Sequence, residues 1–190
     1  SGMTDLKSFS VESQNIANLD LLKNCEKLEI LNLFHTNLTN LNIFARNTEL
    51  RVLDISTGNP VQDISGLQQM GKLEQFSISS SELTDISPIG SLSNLAILEM
   101  SCGSVNDISP LIGCQKLKHL SLGGCKQVTD IYRLAELKNL EEIHVFGTAI
   151  SDFTPLLSME SLKKVVASDG QINSSILAKL EAQNITVELL

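Results

Sequence analysis

Positive charge is scarce in this 190-residue chain: 14 Lys and Arg stand against 22 Asp and Glu, for a net charge of −8 and a pI near 4.8. Phosphate binding needs a cationic surface that releases counterions, so nucleic acid is excluded as the main partner. Long apolar runs are missing as well, and no stretch has the length that membrane insertion or a signal-peptide core requires. Cysteine is sparse: Cys25, Cys102, Cys114 and Cys125 lack the density and spacing of a disulfide framework or a zinc motif. A reducing compartment is therefore expected. Proline occurs four times, and charged residues make up 19% against 42% apolar, a balance that excludes a disordered chain.

Ser1-Gly2 ahead of Met3 reads as a cloning remnant, which makes Met3 the expected native start and the cytoplasm the expected location. If the chain was trimmed from a longer precursor, the same residues fit an exported protein.

One period dominates what is present. Leu6, Leu28, Leu50, Leu73, Leu95, Leu117, Leu140 and Leu162 are spaced by 22 residues, with 23 after Leu50 and after Leu117. With each leucine as position one, position four reads Phe9, Leu31, Leu53, Phe76, Leu98, Leu120, Ile143, Val165. Position six reads Val11, Leu33, Ile55, Ile78, Met100, Leu122, Val145, Ala167, and a third column runs Ile16, Leu38, Val61, Leu83, Val105, Val128, Ile150, Ile172. Chance does not keep four columns apolar through eight repeats, so the chain is a repeat array. Both extra residues fall just after position six, beside glycines (Gly58, and Gly123-Gly124), where a bulge leaves strands in register.

Alternation around positions four and six marks one short strand per repeat, buried on one side. Asp63-Ile64-Ser65, Asp85-Ile86-Ser87-Pro88, Asp107-Ile108-Ser109-Pro110 and Asp152-Phe153-Thr154-Pro155 follow the third column. Asp caps free N–H groups and Pro suits a first turn, so the return path is expected to be 3₁₀ turns rather than long helices. The expected domains are an eight-repeat solenoid over 3–173 and a C-terminal cap over 174–190. In that cap Ser174 to Ala182 has helical spacing, and Ile185, Val187 and Leu189 alternate as a last strand. The N-terminal end is thinly capped, which leaves an edge open to self-association.

These columns resemble the 22-residue class of leucine-rich repeats, found in internalin-like bacterial proteins and phosphatase-regulator subunits. The match to LxxLxLxxxxLxDIxPL runs from residue 6 to about 172. The resemblance implies an α/β solenoid with a curved parallel sheet on its concave face and thin turns on its convex face. It further implies a non-catalytic protein-binding scaffold, or, for an exported chain, a ligand-recognition domain. One departure stands out: the family keeps an Asn at position nine for a buried hydrogen-bond ladder. Here the position reads Gln14, Thr36, Ser81, Gly103, Thr148 and Gly170, with Asn59 and Cys125 or Lys126 at the insertions.

Outward residues at positions three, five, seven and eight should line the concave face. From these columns Asn32, Phe34, His35, Asp54, Glu99, His119, Glu142, His144 and Phe146 form the candidate binding surface for a protein partner. Phe34 and Phe146 hold position seven, which is otherwise Glu, Ser or Gly, and core packing does not explain them. His119, His144, Glu142, Glu99 and Cys102 bring zinc-ligand residue types together. Yet Ser121 lies between Glu99 and His144, whereas a triad needs its base between nucleophile and acid. Phosphate loops, HExxH and GxSxG are all absent. No enzyme activity, cofactor or metal is expected, because a flat open sheet offers nothing evident to orient the ligands. Cys25 and Cys114 read as small core residues; Cys102 and Cys125 read as neighbouring, partly exposed free thiols.

Overall fold

The computed structural model describes residues 4–14 and 19–190. Met3, and Ile16 of the third apolar column, lie outside the described residues. Among the described residues, nine strands form one sheet: β1 Ser8–Glu12, β2 Ile30–Phe34, β3 Val52–Ile55, β4 Gln75–Ser79, β5 Ile97–Ser101, β6 His119–Ser121, β7 Glu142–His144, β8 Lys164–Ala167 and β9 Thr186–Leu189. They pair in parallel in chain order, each strand beside the next. Eight begin at repeat position three and end at position five, six or seven, and β9 comes from the C-terminal segment.

Register follows the repeat arithmetic. Leu31 pairs with Leu53, Leu53 with Phe76 and Leu98 with Leu120, so position four stays aligned whether the step is 22 or 23 residues. The extra residue is absorbed beyond the strand, where Gly58 (φ 67°) and Gly124 (φ 82°) take left-handed backbone that a side chain would strain.

Among the described residues, each return path between β1 and β8 holds a 3₁₀ turn of three to five residues, as at Ser65–Gln69, Ser87–Ser91 and Ser109–Gly113. The Asp before each of these three turns accepts the N–H two residues on: Ser65 to Asp63, Ser87 to Asp85 and Ser109 to Asp107, each at 2.8 Å. Short turns on one side and strands on the other enclose a single continuous core. From Leu28 to Leu162 the position-one leucines are all buried, as are positions four and six from the second repeat onward. In the first repeat Leu6, Phe9 and Val11 are only partly buried.

The C-terminal end is closed by a helix, α1 Ser174–Ala182. Asn173 caps it by accepting the Ile176 N–H at 3.0 Å, and Ile176 and Leu180 turn inward. Beyond it β9 pairs with β8 through Val165 opposite Val187.

The missing Asn ladder is replaced piecemeal. Buried Asn59 donates to the Leu33 carbonyl at 2.6 Å, and its Oδ1 accepts from Thr36 N, Thr36 Oγ1 and Leu38 N at 3.0, 2.9 and 3.2 Å. Ser80 Oγ donates to Val61 O at 2.7 Å, and Gln171 bridges Val145 O, Thr148 and the Ser168 N–H. Cys102 N–H donates to Cys125 Sγ at 3.4 Å, with Cys125 in turn bonded to Met100 O at 3.7 Å.

Two sequence expectations are corrected here. Cys102 and Cys125 are fully buried rather than partly exposed. Position eight also does not point outward throughout: Ser80 and Cys102 turn into the core, where Ser80 Oγ donates to the Val61 carbonyl at 2.7 Å and accepts the Glu82 N–H at 3.1 Å.

Candidate functional site

Strand residues alternate between core and surface, so positions three, five and seven share the outer face of the sheet. Parallel register then places equal positions of neighbouring repeats side by side. His119 stands opposite Glu142, which stands opposite Lys164, which stands opposite Thr186. In the next row Glu99 pairs with Ser121 and Ser121 with His144.

These rows assemble an ionic cluster over β5 to β9. His144 Nε2 lies 2.7 Å from Glu142 Oε1, and His119 Nδ1 lies 3.5 Å from Glu142 Oε2. On its other side His119 Nε2 faces Glu99 Oε1 at 4.0 Å. The imidazoles meet edge to face with centroids 4.8 Å apart, and the Phe146 ring follows at 6.4 Å from His144. Lys164 Nζ bridges Glu142 at 3.2 Å and Glu188 at 3.1 Å. Side chains of His119, His144 and Glu142 are 22, 23 and 31% exposed, so the cluster is sheltered but reachable. The His144 hydrogen bond, then Lys164 and the His119 charge, hold the Glu142 carboxyl down to about 2 against burial.

The remaining candidates lie apart from this cluster. Asn32 and Asp54 face each other across β2 and β3, and Asp54 Oδ1 accepts the Ser56 N–H at 2.9 Å, which ties it to its own turn. Glu99 is exposed and accepts from Ser77 Oγ at 3.2 Å. Phe34 is half-buried at the end of β2. His35 (φ 54°) presses its ring onto Gly58 of the next repeat, where an added Cβ would lie 2.0 Å from Nδ1. Phe146 likewise rests on Gly123 of the preceding repeat, with Cζ 2.3 Å from where a Cβ would stand. Cys102 is part of the core and takes no part in the surface.

Lys164 and Glu188 were not among the sequence candidates. The signal was present for Lys164, which continues the position-three column after His119 and Glu142; Glu188 lies outside the repeat, and only the pairing of β9 reveals it.

No family model matches the chain, and no curated protein matches it in sequence. Solved structures do match. Internalin C2 of Listeria monocytogenes is 28% identical with a TM-score of 0.84, over 98% of this chain and 82% of that one. Another internalin of the same organism is 23% identical with a TM-score of 0.80, over 97% of this chain. The fold is a leucine-rich repeat solenoid. A leucine-rich repeat protein of Leptospira interrogans shares it at 18% identity and a TM-score of 0.77, over 98% of this chain and 49% of that one. The solenoid spans 61% of the length of that second internalin. Among its described residues no helix is long and apolar enough to cross a membrane.

Proposed function

We propose that this solenoid is a non-catalytic interaction module that grips a protein partner on the concave, sheet side. The supporting observation is the continuous run from Glu99 through His119, Glu142 and His144 to Phe146: polar and aromatic groups, half-exposed and held by their strands. Surfaces of this kind, with a few aromatics set among positioned polar groups, match the make-up of protein interfaces. Phe34 supplies a second aromatic five strands away, which strand spacing places ~24 Å from Phe146. Likeness to internalins carries an alternative setting, an exported or cell-surface ligand-recognition domain; an export signal in the coding sequence upstream of Met3 would favour it.

The test is affinity capture from the source organism with three baits: wild type, the Phe34→Ala/Phe146→Ala variant, and Arg133→Ala on the turn side. A partner retained by wild type and Arg133→Ala but lost from the double variant is the expected result. Equal capture by all three baits would move the site off the sheet face.

A further inference from the structure

The histidine cluster has the composition and spacing of a ligand set. One donor atom from each of His119, Glu142 and His144 lies within 4.8 Å of the others. Around a tetrahedral ion with bonds of about 2.1 Å, neighbouring donors stand about 3.4 Å apart. The two imidazoles meet different oxygens of the one carboxylate, His119 Nδ1 at 3.5 Å from Oε2 and His144 Nε2 at 2.7 Å from Oε1, so side-chain rotations within a spread of 4.8 Å bring the three donors to that spacing. Two imidazoles and one carboxylate are a zinc-type donor set that leaves a fourth position free.

Inertness is expected from the sequence for one reason, the lack of groups to orient the ligands. The structure contains such groups. His119 turns Nδ1 toward Glu142 and Nε2 toward Glu99 at 4.0 Å, an ion-pair distance from which a small movement of the exposed Glu99 side chain supplies the carboxylate that orients a ligating imidazole. Lys164, itself held by Glu188, anchors Glu142 from the far side. Three carboxylates (Glu99, Glu142, Glu188) against one ammonium leave a net negative field around two imidazoles. All donors stand on paired strands rather than loops, which limits the rearrangement that binding requires.

We propose that His119, His144 and Glu142 form a binding site for one divalent, imidazole-preferring transition ion, with Glu99 as the positioning residue for His119. The ion takes the place of the contact between His144 Nε2 and Glu142 and loosens the Lys164 contact to Glu142, so Lys164 is a built-in competitor. This inference is independent of the protein-binding reading, since it concerns the free chain.

Titration of the purified chain with Zn²⁺ against a chromophoric chelator tests it, with Co²⁺ as a spectroscopic probe. One Zn²⁺ per chain and a four-coordinate Co²⁺ spectrum are expected. His119→Ala and His144→Ala should each lose stoichiometric binding, and Glu99→Gln should weaken it roughly tenfold, as loss of an orienting partner does. Lys164→Gln should tighten it, an outcome that a general loss of folding cannot produce. His119→Gln and His144→Gln, matched to wild type by circular dichroism and thermal melting, serve if an alanine variant unfolds. No stoichiometric Zn²⁺ uptake by wild type, or equal uptake in the His119→Gln/His144→Gln variant, overturns the proposal.

Discussion

Asn59 occupies the inserted segment of the third repeat, and its amide serves four backbone and side-chain groups contributed by the repeat before it. Each of those groups is inside the protein, so removing the amide leaves several of them without partners at about 1–3 kcal/mol each. Asn59→Ala should therefore cost about 2 kcal/mol or more in urea unfolding, well above a surface substitution. The thiols behave differently. Burial pushes Cys102 and Cys114 up to about 12 from an ordinary 9.0, which favours the neutral form in the folded chain. Their contribution to stability is complete below pH 9 and is lost as pH rises toward 12. Between those limits wild type should lose stability relative to a Cys102→Ala/Cys114→Ala variant, measured as the difference in urea midpoint at each pH. The sequence placed Cys25 and Cys114 in the core because they share a column with Met70 and Leu92. It placed Cys102 less well, because whether position eight points in or out depends on which neighbouring backbone groups still need a partner. Periodicity carries no information about that.

At the scale of elements, strand and turn are fixed by different signals. Strand register follows from repeat length alone, which is why the rows that bring His119 beside Glu142, and Glu99 near His144, were readable before any coordinates. Only side-chain direction within the rows was not: that His119 faces a carboxylate on each side, Glu142 at 3.5 Å and Glu99 at 4.0 Å, depends on rotamers, about which periodicity says nothing. Leu98 sits at position four of β5, fully buried with strands on both sides. Leu98→Ala should cost ~2–5 kcal/mol, the range for a buried leucine. A cost below about 1 kcal/mol would be that of an exposed site and would contradict the register. The turns stack by backbone contact instead. A Cβ on Gly113 would lie 2.1 Å from the Gly90 carbonyl oxygen, one turn before it, and backbone cannot swing aside as a side chain can. Gly113→Ala should then destabilise by ~1–3 kcal/mol through overpacking, although alanine is the better helix former. Thermal melting of the two variants separates the cases: a Gly113→Ala melting point equal to wild type would mean the turns are not in contact.

Across the whole molecule, charge is ordered along the stack rather than scattered. Position two reads Lys7, Glu29, Arg51, Glu74, Ala96, Lys118, Glu141, Lys163, alternating in sign apart from the alanine. Neighbours pair across strands: Lys7 with Glu29 at 2.8 Å, Arg51 with Glu74, and Glu141 with Lys163 at 2.5 Å. These pairs are solvent-exposed, and such pairs add little stability, but like charges at this spacing would oppose stacking, so the pattern favours the observed register. With the position-two cations matched to anions, the net charge of −8 is carried by other acidic groups, among them Asp54 and exposed Glu99 on the proposed binding face. A partner steered by that field is basic, and steering acts on association whereas desolvated aromatic contacts act on dissociation. The two contributions are separable once a partner is in hand. Raising salt from 0.05 to 0.5 M should slow association and leave dissociation nearly unchanged, because the Debye length falls from about 14 Å to about 4 Å over that range. Phe34→Ala and Phe146→Ala should do the reverse, each speeding dissociation about 30-fold, which corresponds to the ~2 kcal/mol of an interface hot spot. Surface plasmon resonance at the two salt concentrations reads both effects on one set of proteins. Unchanged dissociation in both phenylalanine variants would move the contact off the sheet face, and a salt-independent association rate would rule out steering by any acidic row, including the turn-side Asp63, Asp85 and Asp107.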